Sequence, residues 1–329
     1  MPIDKRDDLI SGAEACCRQL ASYAVAALLE EAALYPKPGL VDPVSAGAHS
    51  DMDITAFVRS AAALPFGFYD YARIGSESVL PEAEPAAIRR RLRTTGLALE
   101  QAMFAATGGI NTHKGAVFLF GYLLAAAGRM YGKRLLPDEL EGAALHGAGL
   151  PSAESADGTD RPFLPMGKLS AADFFSELRV LAAGLFEEDM ERTDIKKAPT
   201  HGEQMFLQYG CKGIRGAVEA GLPLVERNLP YMAALAELPQ RDSYLLTLLH
   251  IIAENEDTNV LYRAGTGGLK ALQERCAALL EAKLTGTALY RAVELLDADC
   301  ITQNISPGGS ADLFAAVLFC RNIINREKL

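Results

Sequence analysis

The sequence predicts an all-α fold: a single large multi-helix bundle with a central apolar helix and one long inserted loop. Three observations lead there. Apolar residues recur at helical spacing in stretch after stretch, each closed by proline or glycine. Period-two alternation bounded by turn residues is hard to find anywhere. The run Lys114 to Met130 is apolar on most sides, which suits a helix at the centre of a bundle.

Leu9 to Tyr35 is rich in Ala, Leu and Glu and is stopped by Pro36-Lys37-Pro38-Gly39. Asp53 or Thr55 can cap a second helix running to about Arg73. A third starts with Pro85 in its first turn and runs to Ala106, before Thr107-Gly108-Gly109. The central helix follows. Val117 to Phe120 would pass for a strand alone, but its Ala/Leu continuation favours helix. Further helices are expected near 137–144, 171–189, 201–209, 228–238, 241–254, 257–264, 267–283, 286–299 and 310–325. His146 to Lys168 is rich in Gly, Ser, Asp and Pro and reads as an exposed, mobile insertion. Helical pattern resumes beyond it without a shift in composition. One catalytic domain spanning 1–329 is therefore expected rather than two.

Half of the 329 residues are hydrophobic, enough for a large core. The net charge of −10 argues against a nucleic-acid surface. A polyanion could bind such a chain only where Lys and Arg gather, with a divalent cation to offset repulsion. The cysteines at 16, 17, 211, 276, 300 and 320 lack metal-ligand spacing and read as reduced residues of a cytoplasmic protein. Met1 to Asp8 has no apolar signal core, and Gly115 to Ala127 is too short to span a bilayer. No membrane or nucleic-acid partner is expected. A dimer is compatible with the sequence, which sets no oligomeric state.

Six punctuated segments concentrate polar chemistry. In Tyr35-Pro36-Lys37-Pro38-Gly39-Leu40-Val41-Asp42, an extended, exposed Lys37 is either a surface turn or a point charge for phosphate. In Ala48-His49-Ser50-Asp51-Met52-Asp53, two acids and an imidazole form either a helix cap or an acid–base and Mg²⁺ cluster. Gly108-Gly109-Ile110-Asn111-Thr112-His113-Lys114-Gly115 opens the apolar helix. Its polar side chains are costly unless paired or functional. Thr200-His201-Gly202-Glu203, followed by Tyr209 to Gly216 with Lys212 and Arg215, reads as a flexible basic loop where Arg215 can grip phosphate in a bidentate manner. Glu254 to Asn259 is a solvated acidic cap or, through Asp257 and Asn259, a metal site. The last helix is opened by Ser306-Pro307-Gly308-Gly309-Ser310-Ala311-Asp312. Ser310 caps it, and the amides of Gly308, Gly309 and Ser310 suit an anion. Without Gly-Lys-Ser/Thr after the glycines it is not a Walker loop.

Taken in order, these segments resemble the triphosphoribosyl-dephospho-CoA synthase family. The resemblance rests on Pro36 to Asp42, Gly47 to Asp53, Gly109 to Ala116, Thr200 to Glu203, Gly213 to Gly216, Asp257 to Asn259 and Ile305 to Asp312. It implies a transferase that uses ATP and 3′-dephospho-CoA. Adenine leaves C1 of the ATP ribose and the acceptor's 2′-hydroxyl takes its place. The product is the prosthetic-group precursor of citrate lyase or malonate decarboxylase, passed on to a carrier-protein transferase. With that resemblance, Glu203, His201, His113 and Asp51 are the catalytic candidates. Lys37, Asn111, Thr112, Lys114, Arg215, Gly308, Gly309 and Ser310 are candidates to hold substrate phosphates. Asp53, Asp257 and Asp312 are candidates for Mg²⁺. The rival readings are a helical Mg²⁺-dependent N-glycosidase or ADP-ribose-type hydrolase, with water as acceptor, and a nucleotide-binding protein without activity.

Overall fold

The structure, a computed structural model, describes residues 5–79, 84–135, 167–191 and 201–324. The elements are α1 (Lys5–Ala33), α2 (Ile54–Ala63), α3 (Pro65–Glu77), α4 (Pro85–Thr107), α5 (Lys114–Leu135), α6 (Ala171–Ala182), α7 (Leu185–Glu191), α8 (His201–Tyr209), α9 (Gly213–Glu219), α10 (Pro223–Ala234), α11 (Gln240–Glu254), α12 (Thr258–Glu281), α13 (Gly286–Thr302) and α14 (Gly308–Ile323). Among the described residues there is no strand, only one isolated bridge between Leu169 and Ile324. The fold is all-α. The expected helix at 137–144 and nearly all of the 146–168 insertion lie outside the described residues.

α5 is central, as its composition requires. Ala116, Leu119, Phe120 and Leu123 to Ala127 are fully buried. The same helix holds the one stretch among the described residues that is long and apolar enough to cross a membrane, Lys114–Arg134, and 78% of that window is buried in the fold. α3 crosses α5 with backbones nearly touching: a Cβ on Gly75 would lie 2.0 Å from the Ala125 carbonyl oxygen, and one on Gly128 would lie 2.0 Å from that of Ala72. Only glycine permits that approach. α14 is a second core helix, apolar all round from Leu313 to Cys320. Its Phe319 ring meets Phe120 of α5 edge-on at 5.6 Å, and α1 packs on both.

Several expected boundaries shift, each for a local reason. The second helix divides at Leu64, because Pro65 starts a new one. The 171–189 segment divides at Gly184, whose φ is 78°. The expected basic loop after Gly210 is instead the short helix α9, which brings Arg215 onto a helical first turn. The 228–238 helix begins earlier, at Pro223. The two segments on either side of residue 265 join into α12, bent at Gly265 (φ 66°, ψ −171°).

Candidate active site

Four helix ends meet at one corner: the C-terminus of α1 and the starts of α5, α12 and α14. Asp257 ties two of them together. Its Oδ1 accepts the amides of Asn259 (2.9 Å) and Val260 (3.5 Å), capping α12. Its Oδ2 accepts the amide and hydroxyl of Ser310, at 2.7 and 2.9 Å, in the first turn of α14. Asn255 donates to the Ser310 hydroxyl from the end of α11 (3.0 Å). Burial raises the Asp257 pKa, and these donors oppose that rise. The glycines before Ser310 leave room for this joint. A Cβ on Gly309 would lie 3.2 Å from the Asp257 carboxylate, and one on Gly308 would lie 3.0 Å from the Asn259 amide nitrogen.

Pro307, not Ser310, therefore stands at the N-cap of α14. The Ser310 amide, expected to face an anion, donates to Asp257. No acceptor among the described residues meets the amides of Gly308 and Gly309. Asp312 follows one turn on. Burial, then the carboxylates of Glu31 and Asp257, raise its pKa well above the ordinary range. Its Oδ2 faces Gly115 at the start of α5, where a Cβ would come within 2.1 Å. Among the described residues nothing donates a hydrogen bond to this carboxylate.

Lys37 is not exposed, contrary to the expectation from its flanking prolines. It is 1% exposed, and its ammonium donates to the Glu31 carboxylate (2.6 Å) and carbonyl (2.8 Å). The chain doubles back there because Asp42 accepts the amides of Lys37, Val44 and Ser45, while Asp297 accepts that of Gly39 (2.8 Å).

At the start of α5, His113 is 3% exposed. Its Nδ1 shares a hydrogen bond with Ser60 of α2 (2.7 Å), and its Nε2 is buried without a partner. Burial and the Lys37 charge push its pKa down to about 3, so the ring is neutral. Thr112 Oγ1 is likewise buried and unpartnered. The Asn111 side chain accepts the Lys114 amide (3.3 Å), and the Lys114 ammonium pairs with Glu100 (3.2 Å).

At the rim, His49 Nε2 shares a hydrogen bond with Ser306 (2.9 Å), while Arg263 and Asp51 approach Nδ1 at 3.3 and 3.8 Å. Arg263 also donates to the Ala48 carbonyl and the Asn304 side chain, at 2.9 and 3.0 Å. It thus ties the 47–51 segment to the turn before α14. Asp53 is the N-cap of α2, its carboxylate on the Ala56 amide (3.0 Å). α9 abuts the start of α12: a Cβ on Gly213 would lie 3.0 Å from Thr258, and the Cys211 thiol donates to the Glu256 carbonyl (3.5 Å). Arg215 and Glu203 are half-buried in the first turns of α9 and α8. His201 opens α8.

The corner gathers Lys37, His113, Asp257, Asp312, Gly308, Gly309 and Ser310. His49 joins Asp51 to it, and Ser60 joins α2. Glu203 is carried by α8, which packs on α12 and α9. Among the described residues no group of three or more His, Cys, Asp or Glu side chains could hold a metal ion by itself. Glu31, Ser60, Asn255, Arg263 and Ser306 belong to the site without having been nominated. Ser306 sits inside a motif, but Glu31 lies in the last turn of α1, ahead of the punctuation at Pro36.

Residues 17–329 match the family described as ATP:dephospho-CoA triphosphoribosyl transferase. The chain is 34% identical over 313 residues to the 2-(5″-triphosphoribosyl)-3′-dephosphocoenzyme-A synthase of Haemophilus ducreyi, covering 93% of this chain and 88% of that one. It is 36% identical over 324 residues to a probable synthase of the same name from Albidiferax ferrireducens, covering 97% and 95%. Protein CitXG of Haemophilus influenzae is 34% identical over 302 residues, covering 89% of this chain and 57% of that protein. No solved structure matches. With a family match over residues 17–329 and a relative 36% identical across 97% of its length, the chain belongs to the ATP:dephospho-CoA triphosphoribosyl transferase family.

Proposed function

We propose that this protein transfers the 5-triphosphoribosyl group of ATP to the 2′-hydroxyl of 3′-dephospho-CoA, releasing adenine. The family match over residues 17–329 carries this reading. Convergence of separate motifs on the Asp257–Ser310 joint supports it. Bond breaking at C1 of the ribose asks for an oxocarbenium-like transition state, a base near the acceptor hydroxyl and negative charge near C1. Asp312, a half-buried carboxylate without a donor among the described residues, would supply negative charge at the corner once a bound cation offsets the burial that raises its pKa. The amides of Gly308 and Gly309 would hold phosphate oxygens with Arg215. Glu203 is our candidate for the base, with His201, His113 and Asp51 as proton-transfer candidates.

Mg²⁺ fits this donor set in one way. Asp257 and Asp53 already accept backbone amides, which leaves Asp312 as the carboxylate that would hold the ion. Mg²⁺ commonly takes one or two carboxylates and completes its shell with water and substrate phosphate. When bound, it would neutralise triphosphate charge and help orient the donor. We further infer a cytoplasmic protein whose activated product goes to a transferase that loads a carrier protein.

The test is chromatography of ATP and dephospho-CoA incubated with the purified protein and Mg²⁺. Free adenine and a heavier CoA derivative, both dependent on dephospho-CoA, are expected. Adenine released without the acceptor would overturn the reading in favour of an N-glycosidase. No adenine under any condition would leave a binding protein.

A further inference from the structure

A cavity of about 200 Å³ lies away from this corner, between the end of α10, the turn that follows it, the first turns of α11, and Arg321 of α14. Its walls are apolar, with Leu229, Met232 and Leu238 prominent. One end is polar. Arg321 donates to the Tyr244 hydroxyl oxygen and to Glu30 (2.9 Å), Tyr244 donates to Glu30 (2.5 Å), and the Gln240 amide donates to the Tyr244 oxygen (2.6 Å). Because Glu30 matches the Arg321 charge, this end has no net charge. It suits amides and hydroxyls rather than phosphate.

Its position relative to the corner follows from helix geometry. Ser310 and Arg321 are eleven residues apart in α14, three turns, so they share a face about 16 Å apart. Asn255 and Tyr244 have the same separation in α11. Asn255 meets Ser310 at one end and Tyr244 meets Arg321 at the other. The two helices run antiparallel, with the corner at one end and the cavity at the other.

Resting on the functional reading above, we propose that this cavity holds the pantetheine arm of the dephospho-CoA acceptor. That arm is the long, uncharged part of the acceptor. Its geminal methyl groups and methylenes match walls of leucine and methionine, the latter readily reshaped around a ligand. Its two amides match the Gln240 and Tyr244 end. The nucleotide half, which carries the reacting 2′-hydroxyl, stays at the corner. ATP has no comparable arm, so the cavity distinguishes acceptor from donor.

Ala233 and Ala236 line the cavity, and Ala236 is exposed. Ala233→Phe would fill the space, and Ala236→Phe would obstruct it from an exposed position. Each variant, checked for wild-type melting temperature, is expected to raise KM for dephospho-CoA about tenfold, the equivalent of ~1.4 kcal/mol. KM for ATP should not change. Calorimetric titration of dephospho-CoA alone should show the same weakening. Wild-type affinity for dephospho-CoA in folded Ala236→Phe would overturn the assignment and leave the functional reading intact. Weakened dephospho-CoA binding in a protein that never releases adenine would uphold the cavity and sink the functional reading.

Discussion

Lys37 shows what a charge needs in order to be buried. Its ammonium is held by both the carboxylate and the carbonyl of Glu31. Taking away the lysine would leave Glu31 uncompensated and close to Asp312. Lys37→Ala is therefore expected to cost about 3–5 kcal/mol, read from urea unfolding. The paired replacement Glu31→Gln with Lys37→Met should recover much of it, since no charge is then stranded. His113 makes a second prediction, for pH. Its folded pKa of about 3 lies below the ordinary value near 6.5. The unfolded chain takes up the proton first, so the stability that His113 contributes is complete above about pH 6.5 and declines as pH falls. Asp297 acts in the opposite sense: burial raises its pKa to about 6, so its contribution is lost as pH rises from about 4 to 6. Between these values the two slopes oppose. Relative to wild type, the slope of the urea midpoint against rising pH across that window should become more negative in His113→Gln and more positive in Asp297→Asn.

At the scale of elements, Asp257 is a joint between helices rather than a simple cap. Asp257→Ala removes the cap of α12 and leaves the buried Ser310 hydroxyl without its acceptor. A lost cap costs about 0.5–2 kcal/mol, and an orphaned buried donor costs about 1–3 kcal/mol. A loss of about 2–4 kcal/mol is expected in denaturant titration, together with weakened ATP binding, because the start of α14 would no longer be anchored. A loss below 1 kcal/mol would mean that the joint is dispensable. The α3–α5 crossing is a separate test. Gly75→Ala places a methyl 2.0 Å from the Ala125 carbonyl, so the helices must part. About 1–3 kcal/mol should be lost, as for other overpacked cores.

For the whole molecule, function depends on loops distant in the chain meeting at one place. Glu203 lies on α8, which packs on α12, the helix that Asp257 caps. Its candidacy as base is tested by Glu203→Gln. Adenine release should fall about 10²- to 10⁴-fold, with ATP binding by calorimetry unchanged. Wild-type turnover in that variant would remove Glu203 from the chemistry.

The helical class and the central place of α5 were legible because apolar spacing is a local, repeated signal. Asp53 as a cap was legible for the same reason, as its partner is three residues away. Lys37 misled because its flanking prolines describe the backbone, whereas its burial is set by Glu31 and by the packing of α1. Ser310 misled because Asp257, 53 residues earlier in the chain, outcompetes the local capping geometry. α9 was missed because three glycines within seven residues weaken any helical signal, and packing against α5, α6, α7 and α8 compensates.

By itself the sequence determined the helical class, the central place of α5 and the residue types that carry chemistry, since these follow from local periodicity and composition. Tertiary structure alone decided which charges are buried, which carboxylate lacks a donor and which helix ends form the corner. Most such pairings join residues far apart in the chain, 53 positions for Asp257 and Ser310 and 257 for His49 and Ser306, and no local pattern encodes a distance between them.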